Sequence, residues 1–197
     1  MKDHRHGESA ADRTVHGALG RFAQQAATEG LLDVAYTTTD SPFGLLLVAT
    51  TARGLVRVGM PTQDFDELLD ELAARVSPRV LEAPAQLDDV RRQLNHYFEG
   101  ELREFELSLD WELTKGFRRK VLRATNRIPY GQTRSYTQMA RSAGNERAVR
   151  AAGTALGSNP IPIVVPCHRV LRTSGALGGY GGGLPMKESL LELEGAL

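Results

Sequence analysis

Hydrophobic positions along this chain follow two different periods, and the switch between them divides the molecule. From Leu32 to Thr38 and from Gly44 to Met60 the residues are alternating or continuous β-formers. The second stretch is interrupted by Thr51-Ala52-Arg53-Gly54, which predicts a hairpin turn in a small antiparallel sheet. Phe65, Leu68, Leu69, Leu72 and Ala73 then recur at helical spacing, with Thr62 as the candidate N-cap, and a second helix is predicted from about Leu87 to Phe98. Glu99-Gly100-Glu101 ends that helix, and Phe105, Leu107 and Leu109 alternate as a further strand. Residues 1–30 carry little apolar material beyond Leu19, Phe22, Ala23 and Ala26, so they read as a tail with one weak helix and a disordered start. Residues 31–110 are thus an α+β scaffold in which no chemistry is visible.

The second half, residues 111–197, is helical first. Helices are predicted over residues 117–127, before Pro129; over Tyr136–Ala143, opened by Ser135; and over Glu146–Leu156. Gly144-Asn145 separates the last two, a helix-turn-helix pattern. The third helix is rich in small residues: Ala148, Ala151, Ala152, Gly153 and Ala155. Such a face packs closely on another helix or enters a narrow groove in DNA. Ile161, Ile163 and Val165 alternate as a buried strand that ends at Pro166 and would aim the next side chain into a cleft.

That next residue is Cys167, the only cysteine of the 197-residue chain, followed by His168 and Arg169. A thiol becomes a strong nucleophile as thiolate, and cationic or basic neighbours favour that form. A free cysteine is equally a small buried hydrophobe. With 41% hydrophobic residues and no run of about 18 apolar residues, the chain has enough apolar material for a core and no transmembrane helix. One cysteine forms no internal disulfide, which fits a reducing cytoplasm. Formal net charge is zero, but the halves differ. Residues 1–110 hold 11 Lys/Arg and 19 Asp/Glu, and residues 111–197 hold 13 and 5, giving −8 and +8. A polyanion is drawn to the half that contains Cys167, although two oppositely charged halves also attract each other.

The motif Pro166-Cys167-His168-Arg169-Val170, with Asn159-Pro160 upstream and Gly178-Gly179-Tyr180-Gly181-Gly182-Gly183-Leu184 downstream, resembles the O6-alkylguanine-DNA alkyltransferases, also called methylated-DNA–protein-cysteine methyltransferases. The likeness runs from about Phe117 to Gly195, and Ile128-Pro129-Tyr130-Gly131-Gln132-Thr133-Arg134-Ser135-Tyr136 is similar to the family's entry into its helix-turn-helix. The resemblance implies a ribonuclease H-like N-terminal domain and a C-terminal domain with a winged-helix-like helix-turn-helix and an active-site strand. It implies single-turnover transfer of an alkyl group from O6-alkylguanine, and from O4-alkylthymine, to Cys167.

In the roles the family assigns, Glu194 orients His168, which acts through water on Cys167, while Asn159 ties the recognition helix to the active strand. Arg150 is the finger that replaces the flipped base, Tyr136 crowds its phosphate, and Ala151, Ala152 and Gly153 lie along the minor groove. Tyr180, Gly181 and Val170 border the base. Taken alone, Arg150 reads as a surface charge or a partner of Glu146 at i−4, and Glu194 as a surface glutamate. No cofactor or metal is expected; the glycines lack the G-x-G-x-x-G pattern, and His4 and His6 read as a polar tail. The expected partner is double-stranded DNA carrying alkylated bases, with no membrane; a monomer is expected, cooperative on DNA.

Departures from the family are the Phe117-Arg118-Arg119-Lys120-Val121-Leu122 helix, which lacks the usual glutamine and tryptophan, and a helix-turn-helix turn without proline-glycine. Two rival readings fit less well. A papain-like hydrolase needs its histidine far downstream of the cysteine, and a major-groove reader needs polar side chains where this chain has alanines. Lesion-binding relatives without transfer activity replace the cysteine, which this chain retains.

Overall fold

The computed structural model describes Gln25 and residues 30–197. The weak helix and disorder expected within residues 1–29 lie outside the described residues, apart from Gln25. Three antiparallel strands, β1 (Val34–Thr39), β2 (Leu46–Thr51) and β3 (Gly54–Gly59), form the expected meander with its turn at residues 52–53. A fourth strand, β4 (Val80–Glu82), which the sequence pattern did not announce, pairs with β1 in parallel, giving the order β3-β2-β1-β4. The sheet is therefore mixed.

Both faces of this sheet are covered, which explains why Leu46, Leu47, Val48 and Ala49 are apolar without interruption. Val34, Leu47, Ala49 and Val56 pack with Leu72 of α1 (Phe65–Arg75), whereas Ala35, Leu46, Val48 and Leu55 face the main core. Helix α1 is capped by Asp64, whose carboxylate accepts from the amides of Asp66 and Glu67; Thr62 lies too early. After a 3-10 turn (Pro84–Leu87), α2 (Asp88–Phe98) buries Val90, Gln93, Leu94 and Tyr97 along one face.

The strand expected at Phe105–Leu109 is reduced to one bridge between Leu55 and Leu109. The side-chain oxygen of Gln93 accepts the Glu106 amide at 2.8 Å and takes it out of any ladder.

In the second half, α3 (Gly116–Thr125), α4 (Tyr136–Ser142) and α5 (Val149–Gly157) pack on one another. Ser135 caps α4 in a capping box with Gln138, as its position implied. Helix α5 begins three residues later than expected, because Asn145 turns the chain by accepting from the Arg147 amide. The two-residue strand β5 (Arg134–Ser135) pairs in parallel with β6 (Val170–Leu171), tying the entrance of the helix pair to the chain just after Cys167. Helix α6 (Leu184–Leu193) closes the fold.

The two halves share one apolar core, running from Leu46 and Leu94 to Ile163 and Leu190. Among the described residues no helix is long and apolar enough to cross a membrane.

Candidate active site

Ile161–Val165 is buried as its composition requires, but it is no strand. Prolines at 160, 162 and 166 remove the donors a ladder would need, and the segment folds into turns. Ile163 has φ 72°, a left-handed conformation that a β-branched residue adopts at a cost of about 1–3 kcal/mol. The packed core and short local hydrogen bonds hold it there, among them Val165 N to Ile161 O at 2.9 Å. The outcome is a 3-10 turn at Cys167–Arg169 in place of an extended strand end. Its three side chains are all buried.

Asn159 binds both ends of this turn segment. Its Nδ2 donates to Val165 O at 2.9 Å and to Cys167 Sγ at 3.2 Å, while its Oδ1 accepts from the Ile161 amide. Strand β3 holds the same segment from the other half, the Val58 amide donating to Pro160 O at 2.8 Å.

His168 and Glu194, distant in sequence, meet at 2.9 Å between Nε2 and Oε1, both fully desolvated at their side chains. Arg169 forks onto the same carboxylate through Nε and Nη2, each at 2.8 Å. Tyr97 of α2 donates its hydroxyl to Glu194 Oε1 at 2.6 Å. Burial alone would push the Glu194 carboxyl up, but hydrogen bonds from His168, Arg169 and Tyr97 hold it at about 2. Burial keeps His168 below the usual histidine range despite its carboxylate partner, so the ring is neutral. Its Nδ1 is buried and has no hydrogen-bond partner among the described residues.

This distribution corrects one expectation. Neither neighbour of Cys167 offers it a cation, since His168 is neutral and Arg169 is committed to Glu194. Burial pushes the Cys167 thiol up, opposed by the hydrogen bond from Asn159, by the Lys187 ammonium and by the backbone amides of Cys167 and His168. The net of these effects favours the neutral thiol.

A cleft of about 560 Å³ lies beside the site, lined by Tyr136, Val149 and Gly153 on the helix pair and by Gly178, Tyr180 and Gly181 on the glycine-rich loop. Cys167 is 8% exposed and stands behind this wall, near enough that an ionised sulfur would raise the Tyr136 and Tyr180 hydroxyls. The Tyr180 ring meets His168 edge-on at 6.3 Å, and its hydroxyl is buried with no hydrogen-bond partner among the described residues. Gly178 lies directly under Tyr136, so an added Cβ would fall inside contact distance of the tyrosine hydroxyl and ring. Gly178→Ala is expected to cost about 1–3 kcal/mol by overpacking. Urea unfolding measures this, and a midpoint equal to the unsubstituted protein would refute the contact.

The remaining sequence candidates divide by exposure. Arg150 and Ala151 face solvent, and Gly153 is half-buried against Tyr136. Ala152 turns inward and is fully buried in the core, which corrects its place among the surface contacts. The i−4 partnership of Arg150 with Glu146 does not form; Glu146 pairs with Arg141, and the Arg150 guanidinium has no partner among the described residues. Val170 is fully buried and offers its carbonyl to Lys187 Nζ at 2.6 Å, and Gly181 O accepts from the Thr62 hydroxyl at 3.3 Å.

Tyr97 and Lys187 were given no role by the sequence, and Arg169 only that of a cationic neighbour of Cys167. Lys187, held at about 8 by burial, carried a legible signal, since it occupies the same face of α6 as Leu190, Leu191 and Glu194. Tyr97 carried none beyond its core spacing. His96, Glu99 and Glu101 are the one group among the described residues with the spacing for a metal, and all three are exposed.

Fold and site together define a cysteine-nucleophile protein built against a helix-turn-helix. Residues 34–111 match the 6-O-methylguanine DNA methyltransferase ribonuclease-like domain, and residues 116–196 match the DNA binding domain of the same family. The chain is similar to a methylated-DNA–protein-cysteine methyltransferase of Mycolicibacterium paratuberculosis, 44% identical over 161 residues that cover 82% of this chain and 92% of the relative. One from Methanosarcina acetivorans is 40% identical, covering 82% and 98%. Among solved structures, Mycobacterium tuberculosis OGT in complex with DNA superposes with a TM-score of 0.70 at 42% identity, covering 82% of this chain and 93% of that one. The chain belongs to the 6-O-methylguanine DNA methyltransferase family.

Proposed function

We propose that this protein repairs DNA by direct reversal, moving the alkyl group of O6-alkylguanine, and of O4-alkylthymine, onto Cys167 once per molecule. The observation that carries this reading is the environment of the sole thiol. Asn159, two backbone amides and the Lys187 ammonium are arranged to receive a thiolate, while a neutral His168 with a free Nδ1 can take its proton.

O6 lies inside the duplex edge, so the nucleotide must leave the stack before sulfur can approach the alkyl carbon opposite the C–O bond. Exposed Arg150 fills the vacated place, with Ala151 and Gly153 letting α5 approach the minor groove. Tyr136 and Tyr180 flank the entering base, and the glycine loop yields to admit it past the present cleft wall. His168 Nδ1 takes the thiol proton through a water. The new S–C bond forms as the C–O bond breaks, the electron pair of that bond stays with the guanine, and the base takes up one proton at N1 to become ordinary guanine. The thioether has no route back, since neither thiol exchange nor hydrolysis breaks its C–S bond. The protein acts as a monomer on double-stranded DNA in the cytoplasm.

Intact mass after incubation with O6-methylguanine duplex tests the reading. One addition of about 14 Da, mapping to Cys167, is expected, with none in Cys167→Ser. Repeated turnover, or methylation elsewhere with Cys167 untouched, would overturn it.

A further inference from the structure

We propose that Tyr97, supplied by the ribonuclease-like half, is a positioning residue of the alkyl-transfer relay, its hydroxyl fixing Glu194 so that His168 carries its proton on Nε2 and presents Nδ1 as the base. The inference rests on the alkyl-transfer reading and extends it to the half of the molecule in which the sequence shows no chemistry.

Tyr97 is fully buried on the core face of α2, with Phe105 at 5.1 Å and Tyr130 at 6.4 Å between ring centroids. A phenylalanine would fill this apolar slot equally well. The hydroxyl is what differs, and a buried phenol needs a partner. It has two neighbours, Glu194 Oε1 at 2.6 Å and His168 Nε2 at 3.5 Å.

The protons around these atoms can be assigned. Glu194 is ionised, so its oxygens accept only. Burial and the Glu194 charge keep the phenol protonated, and its single proton goes to the shorter contact with Glu194. The phenol therefore presents only a lone pair to His168. Both atoms facing Nε2 are acceptors, Nε2 must hold the hydrogen, and the neutral ring has its lone pair on Nδ1.

The phenol also shares the negative charge of Oε1. Without it, that oxygen attracts the imidazolium more strongly, and His168 titrates at higher pH. The other groups that set this titration are Arg169 and Lys187, which oppose the imidazolium, with Cys167, Tyr130 and Tyr180 lining the same interior.

Tyr97→Phe keeps the ring and removes the hydroxyl. With O6-benzylguanine as a free-base substrate, the acidic limb of the pH–rate profile for alkylation of Cys167 is expected to move up by about one unit. The His168 midpoint, followed by ¹⁵N NMR of the imidazole, should move the same way. Circular dichroism confirms that the variant is folded. Phe105→Leu is the control, removing packing around the ring while keeping the hydroxyl, and it should lower stability without moving the midpoint. An unchanged midpoint in folded Tyr97→Phe, or an equal shift in Phe105→Leu, would overturn the proposal. If the unsubstituted protein were not alkylated at all, the alkyl-transfer reading would fall, and the NMR titration would still decide the place of Tyr97.

Discussion

Replacing Arg150 with alanine is expected to slow repair of O6-methylguanine in duplex DNA by about two orders of magnitude, the factor given by about 3 kcal/mol of lost stabilisation of the flipped state. Reaction with free O6-benzylguanine should be unchanged. The split follows from where the residue sits. Arg150 is exposed on α5, unpaired among the described residues, and outside the network that surrounds Cys167. Its removal leaves the buried donors and the base in place and takes away only what stands in for the extruded nucleotide. Single-turnover rates on the two substrates measure it. Equal losses on both would move Arg150 into the chemistry or the fold.

Glu194→Gln is expected to be the most damaging conservative change in the interior. The carboxylate neutralises Arg169, and breaking a buried pair by removing one partner costs about 3–5 kcal/mol because the other charge stays buried. The acid limb of stability gives an independent figure. Glu194 titrates at about 2 in the folded protein against an ordinary value of 4.5. A depressed carboxylate contributes stability that is fully present above about pH 4.5 and lost as pH falls through about 2. The difference corresponds to about 3 kcal/mol. Unfolding free energies should therefore fall across that window in the unsubstituted protein, and the variant should lack that component. Alkylation should also slow by about tenfold or more, since a neutral amide supports the basicity of Nδ1 less than a carboxylate does. A folded variant with an unchanged acid limb would show that the four hydrogen bonds to this carboxylate do not hold its charge.

The elements most legible in the sequence are those whose signal is local. The β2–β3 hairpin follows from its turn residues, α4 from Ser135 and its capping box, and α2 from one apolar face. The segment that fails is Ile161–Val165, where hydrophobicity correctly marked burial but could not distinguish a strand from turns packed in the core. Prolines at 160, 162 and 166 carried the missing information, because each one removes a ladder donor. Phe105–Leu109 fails for a different reason: a side chain from α2, Gln93, takes an amide that a strand would have used. Nothing within that segment announces it.

The candidate site divides in the same way. The order of residues around Cys167 marked the nucleophile and its family, because the spacing of Asn159, Pro166, His168 and Tyr180 is a property of the chain itself. Adjacency, however, gave the wrong electrostatics. Cys167, His168 and Arg169 in a row read as a thiol among cations, whereas the 3-10 turn sends His168 and Arg169 to a carboxylate 25 or more residues away. That carboxylate also meets a tyrosine 97 residues earlier in the chain. Whether a buried histidine is charged, which of its nitrogens is free and how far a thiol is raised depend on desolvation and on partners within about 3 Å. Those quantities exist only once the two halves close on one core, so the sequence alone marked the candidate atoms, and the tertiary structure decided the surroundings that set their protonation.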